Sequence, residues 1–199
     1  MANITLSEQY TLRALTGRVV GQALAQGLPE ASLGVLTNKT FICASLTGAL
    51  EAAYLTEKGG LTQVKTFIAE GPEAVAEGVR ALKDADLLFL AFGGEAGPET
   101  NRPLTEAALK AIKEEGYVGE VFFHVRIWVP GFVKEALAAD EETKGYFEEL
   151  PMSTFTFDLE KGLFILNDVY FDEDGELKAE PVRVMPITAE HLDLLKRSL

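Results

Sequence analysis

Six apolar residues, Leu87 to Phe92, run without interruption between Asp84-Ala85-Asp86 and the pair Gly93-Gly94. A run so short and so apolar fits a strand buried on both faces, and it is far too short to cross a bilayer. Ahead of it, Val75, Val79 and Leu82 recur at helical spacing behind Gly71-Pro72, with Pro72 near a first helical position. A crossover helix leading into a wholly apolar strand points to a parallel sheet with helices on both sides.

The same grammar extends along the chain. Residues 61–69 supply a preceding strand, and Pro103 to Glu115 a helix with Leu104, Ala108, Leu109 and Ile112 inward. Residues 120–130, EVFFHVRIWVP, are expected as a strand with Phe122, His124, Arg126 and Trp128 on one face. Residues 61–130 therefore read as β-α-β-α-β. Upstream, Thr5 and Glu8 form a capping-box pattern for a helix over 6–26, closed by Gly27 and Pro29. Gly17 and Gly21 lie four apart on one face of that helix, which suits close helix packing. Short strands are expected at 33–36 and 40–45, joined by a turn at Thr37-Asn38-Lys39, then a helix over 46–58. After Pro130, helices over 132–138 and 141–150 precede strands at 153–159, 163–171 and 176–185, with a hairpin signal at Asp174-Gly175. Pro181 places the last strand at an edge, and Thr188 can cap a final helix. The expected fold is α/β (α+β) in one domain over 1–199. Residues 1–130 form its α/β core, and residues 131–199 a helical linker plus an antiparallel β meander.

A formal charge of −13, from 31 acidic and 18 basic residues without a basic cluster, argues against nucleic-acid binding. The N-terminus lacks the basic and apolar regions of a signal peptide, so cytoplasmic synthesis without membrane association is expected. A single cysteine, Cys43, forbids an intrachain disulfide and a cysteine-cluster metal site; it sits among apolar neighbours and reads as inert. Asp172, Glu173, Asp174 and Glu176 miss the calcium-loop pattern, because Tyr170 and Pro181 occupy its first and last positions. They read as a solvated hairpin tip. No metal or cofactor is expected.

Two places could carry chemistry. Gly93, Gly94, Asn101 and Arg102 lie beyond the buried strand, where open α/β sheets bind ligands, although Glu95 and Glu99 oppose an anion there and a plain strand-to-helix connection is the simpler reading. His124 and Arg126 are the candidates for catalysis. A neighbouring cation disfavours the charged imidazole and suits a general base; a face packed on a helix or subunit is the competing reading. The first functional expectation is a non-catalytic structural protein that assembles with itself or binds partners, through Phe155, Phe157, Phe164, Tyr170 and Phe171 on the C-terminal strands and an edge strand. Phage tail and other virion proteins combine such features, so incorporation into a virion belongs to this reading. The alternative is a small-molecule α/β enzyme or ligand-binding protein with its site at Gly93 to Arg102, near His124 and Arg126. Composition and motifs do not decide whether the chain catalyses a reaction.

Overall fold

A computed structural model of the chain describes residues 4–27, 31–60, 62–94 and 97–198. Pro29, Leu61 and Glu95 lie outside the described residues. One seven-stranded sheet runs through the molecule in the order β2-β1-β3-β4-β5-β6-β7. Its strands are β1 (Leu33–Asn38), β2 (Val64–Ala69), β3 (Leu87–Ala91), β4 (Glu120–Phe123), β5 (Met152–Asp158), β6 (Leu163–Phe171) and β7 (Leu177–Pro186). Pairing is parallel from β2 through β5 and antiparallel from β5 to β7. This is the partly parallel α/β sheet with a C-terminal antiparallel meander that the patterning predicts.

Period-two alternation divides the core into two layers. In β3, Leu88 and Leu90 join one apolar layer, while Leu87, Phe89 and Ala91 join the other. The first layer is covered by α3 (Val75–Leu82), α4 (Arg102–Glu114), α6 (Phe132–Ala139) and α7 (Glu141–Phe147). The second lies under α1 (Leu6–Gly27) and α2 (Phe41–Glu57). Buried on both faces, β3 has no polar position, which is why the run at 87–92 is unbroken.

The helix starts follow from capping. The Thr5 N–H donates to Glu8 Oε2 at 2.7 Å and the Glu8 N–H to Thr5 Oγ1 at 3.3 Å, closing the capping box. Thr40 is extended and its hydroxyl accepts from the Cys43 N–H, so it caps α2. Residues 40–45 are therefore the start of a helix, not a second strand. The alternation of Phe41, Cys43 and Ser45 imitates a strand, but the cap at Thr40 decides the local structure.

A second departure lies at residues 120–130. β4 stops at Phe123, and Val125–Trp128 forms a helical turn, α5. His124 causes the break: it is extended, and its Nδ1 accepts the Arg126 N–H at 3.2 Å, so it acts as the N-cap. His124, Arg126 and Trp128 thus do not share a strand face. Among the C-terminal aromatics, Phe155 and Phe164 are fully buried in the second layer and stack on each other at 5.5 Å. Phe157 packs against the same layer and Phe171 against the first, leaving Tyr170 the one large exposed side chain of the five. Apart from Tyr170, these rings contribute to the chain's own core. The last helix, α8 (Ala189–Ser198), returns to α1, where Arg197 pairs with Glu8 at 2.8 Å.

Candidate functional site

The carboxyl ends of the parallel strands gather the loops after β1, β3 and β4. The chain leaves β1 for β2 on one side and crosses back to β3 on the other, so the strand order reverses between β1 and β3. That crevice is filled by Asn38. Its Nδ2 donates to the Gly93 carbonyl at 2.8 Å, its Oδ1 accepts the Gly93 N–H at 3.0 Å, and the Cys43 thiol donates to the same oxygen at 3.1 Å. Gly93 and Gly94 are buried. Gly94 sits at φ +124°, where a Cβ would also press on Thr40 Cγ2 at 3.1 Å. The two glycines permit close packing here.

Arg102 lies at the start of α4. It pairs with Glu99 at 3.3 Å and with Glu135, and its guanidinium sits 4.7 Å from the Phe132 ring centre. Two of its N–H groups, one on Nε and one on Nη1, are met by these carboxylates. Asn101 is buried one residue earlier, with neither amide atom partnered among the described residues. The structure does not place Arg102 on the cavity wall that His124 and Arg126 share.

It brings them instead to Arg13 on α1. These three side chains, with Thr16, line a cavity of about 440 Å³ at the carboxyl ends of β4 and β5. Its apolar wall comes from Val125, Pro130, Phe157, Leu159 and Leu195. His124 is buried between Phe89 and Phe155, the latter edge-on at 5.3 Å. Burial, then the charges of Arg13 and Arg126, hold its pKa well below the usual histidine value. Because Nδ1 accepts a backbone N–H, the proton of the neutral ring resides on Nε2. That buried Nε2–H reaches no acceptor in good hydrogen-bond geometry among the described residues, although the Phe92 carbonyl favours the ring proton, and the buried Nε–H of Arg126 reaches none either. A ring in this state offers a donor and has no lone pair to spare for a general base.

Arg13 and Arg126 have no carboxylate within ion-pair distance among the described residues, although both are partly buried. Burial, then the charge of Arg126, brings the Arg13 guanidinium down to about 10. On the far side, Thr16 donates to the Leu12 carbonyl at 2.9 Å and accepts from His191 Nε2 at 3.0 Å. Burial, followed by the charge of Arg13, pushes the His191 pKa down to about 4. Arg13, Thr16 and His191 were not singled out from the sequence. The only signal there is a polar pair one turn apart on α1, beside its apolar stripe.

A larger cavity, about 570 Å³, opens beside Phe41 and Ile68. Its charged groups are already satisfied: Lys39 pairs with Glu70 at 2.5 Å, and Glu51 accepts from Thr66. The smaller cavity is the one with unmet hydrogen-bonding demand.

A family model described as "Uncharacterized protein" matches residues 9–194. No curated protein matches. Among solved structures, the chain resembles a solute-binding protein of an ABC transporter from R. palustris in complex with 4-hydroxybenzoate (TM-score 0.54, 9% identity, 89% of this chain and 66% of that one). A solute-binding protein from Rhodopseudomonas palustris HaA2 in complex with p-hydroxybenzoic acid is as similar (TM-score 0.54, 11% identity, the same coverage). An extracellular ligand-binding receptor from Verminephrobacter eiseniae ef01-2 follows (TM-score 0.51, 14% identity, 71% of this chain and 36% of that one). The chain thus spans about one third to two thirds of the length of these structures. The likeness assigns the fold: an α/β architecture resembling periplasmic binding protein-like structures. It overturns the first functional expectation. All three are ligand- or solute-binding proteins, and the aromatic side chains offered for assembly are mostly occupied in the core, so the structural, self-assembling virion reading is withdrawn. Among the described residues no helix is long and apolar enough to cross a membrane.

Proposed function

The chain belongs to the family matched over residues 9–194, and we propose that it is a small-molecule-binding protein whose site is the cavity among Arg13, His124 and Arg126. One observation carries this reading. Two buried donors, His124 Nε2–H and Arg126 Nε–H, lack well-placed acceptors among the described residues at the wall of a cavity whose other lining is part apolar and part Arg13, Thr16, Thr156 and Ser198. A buried polar group left unmatched costs roughly 1–3 kcal/mol. A protein retains such groups readily where a ligand completes them. The volume lies in the range of small-molecule sites, and its place beyond the carboxyl ends of strands is where α/β folds bind ligands. The fold's likeness to solute-binding proteins supports the same role.

Thermal unfolding in the presence of a chemically broad panel of small metabolites tests this. A ligand at one hundred times its Kd stabilises the native state by about 2.7 kcal/mol, a rise of roughly 5–10 °C in Tm for a chain of this size. The rise is expected to vanish in Leu159→Trp, where an indole occupies the cavity. Rises that persist unchanged in that variant, or no rise with any compound, would place the function elsewhere.

A further inference from the structure

We propose that the occupant of this cavity is an organic carboxylate with an apolar body, its head held by the guanidinium groups of Arg13 and Arg126 and by the Nε2–H of His124. This inference rests on the cavity being the ligand site, and it adds which chemistry the site selects.

The first argument is the sign of the hydrogen bonds. Arginine has five N–H donors and no acceptor. His124 presents only a donor, because the Arg126 N–H occupies its Nδ1. The matching group must accept only, and an ionised carboxylate offers about four lone-pair sites and no hydrogen. An amine, ammonium or guanidinium ligand would set donor against donor and charge against like charge.

The second argument is the distribution of charge. The chain carries 31 acidic residues, yet among the described residues none lines this cavity, whereas two arginines do. Most other cations of the described chain are paired with carboxylates, stacked on rings or exposed to water. Arg13 and Arg126 repel one another across a partly buried site, and each lowers the affinity of His124 for a proton. A single negative charge between them relieves that repulsion.

The third argument separates a carboxylate from a phosphate ester. Phosphate sites draw on free backbone N–H groups at a helix N-terminus or a glycine-rich loop. The helical turn beside this cavity has only four residues, and its Arg126 N–H is already bonded to His124. The Gly93 N–H is taken by Asn38. What remains are side-chain donors, without the free backbone N–H groups on which phosphate sites draw. The apolar wall of Val125, Phe157, Leu159 and Leu195 then fits a ring or a branched chain rather than a sugar.

The test uses the full chain and matched probes: benzoate, cyclohexanecarboxylate and 4-methylpentanoate, beside benzamide and phenyl phosphate, each at about 10 mM. At least one carboxylate is expected to raise Tm, with benzamide and phenyl phosphate lagging. Replacing either arginine by methionine removes an uncompensated cation while keeping the apolar stem. Arg13→Met and Arg126→Met are therefore expected to fold, and to weaken carboxylate binding by about 10- to 100-fold in calorimetry. Arg126→Lys, with its charge but no planar fork, is expected to fall between wild type and Arg126→Met. If benzamide or phenyl phosphate binds as well as benzoate, or if no carboxylate binds, the carboxylate assignment is wrong. Loss of a neutral compound's effect in Leu159→Trp would in that case leave the cavity as the ligand site. If carboxylates bind equally to wild type, both methionine variants and Leu159→Trp, the assignment and the site fall together.

Discussion

Replacing Gly17 by leucine is expected to destabilise the fold by at least about 3 kcal/mol, lowering Tm by roughly 6–12 °C or preventing accumulation of folded protein. The reason lies in the contact between α1 and α2. A Cβ built on Gly17 falls 2.1 Å from the Leu46 carbonyl oxygen, and one on Gly21 falls 2.3 Å from the Leu50 carbonyl oxygen. Both obstacles are backbone, so no rotamer change relieves them and the helices must separate. Separation uncovers Val20, Leu24, Leu46 and Leu50, all buried at this contact. It also shifts Arg13, one turn before Gly17, away from the cavity. Gly48→Ala is the control. That glycine lies inside α2, and a Cβ there meets nothing within 4 Å. Alanine at this position is expected to leave Tm unchanged or to stabilise by about 0.5–1 kcal/mol through helix propensity. Denaturant unfolding of the two variants beside wild type checks both halves. Equal stability of Gly17→Leu and wild type would contradict the packing of α1 on α2.

Acidification produces the second large effect. The chain has two histidines, His124 and His191, and both are held neutral in the fold by burial and by nearby arginines. Their folded pKa values lie below the unfolded value of about 6.5, so the unfolded chain binds more protons in between. The stability they confer is complete above about pH 6.5 and is lost as pH falls through that window. Each ring contributes a slope of at most about 1.4 kcal/mol per pH unit. Between about pH 6.5 and 5 the expected loss is about 2–4 kcal/mol. The carboxylates with depressed values, Glu8 and Asp86 among them, lose their contribution only at lower pH. Glu120 acts in the opposite direction: burial raises its pKa, so it favours the fold as it gains a proton. Urea unfolding across this pH range reads the slope, and His191→Gln is expected to flatten it by about half. A stability that does not change between pH 6.5 and 5 would contradict two buried neutral rings.

Much of the architecture was legible because it follows from burial. β3 is apolar at each position since helices cover both of its faces, and the capping box at Thr5 and Glu8 marks the start of α1 at the expected place. The misreadings share one physical cause. At Thr40 and at His124 a side chain binds a backbone N–H two or three residues on and turns an alternating segment into a helix. Alternation of residue types does not reveal such a cap. His124 and Arg126 still end up together, because a cap and the second residue of its helical turn are neighbours, much as alternate residues on a strand would be. The Gly93-Gly94 stretch was legible as the end of a buried strand. The way Asn38 fills the crevice beside it was not, since that depends on two strands aligned by the sheet. Arg13 was the least accessible residue. Only the packing of α1 on α2 and across β4 and β5 brings a polar residue of the first helix to a histidine in the middle of the chain.

The site is tested most directly by the nitrogen NMR signals of His124, in protein labelled with ¹⁵N-histidine and assigned with a His191→Gln variant. At neutral pH the free protein is expected to show His124 as the neutral ring with its proton on Nε2, unpartnered in the cavity. Saturation with benzoate is expected to shift that nitrogen and its proton as the carboxylate takes the hydrogen bond. A charged ring or an Nδ1–H tautomer at neutral pH would contradict the geometry of the site, as would an Nε2 signal that stays fixed while the carboxylate binds.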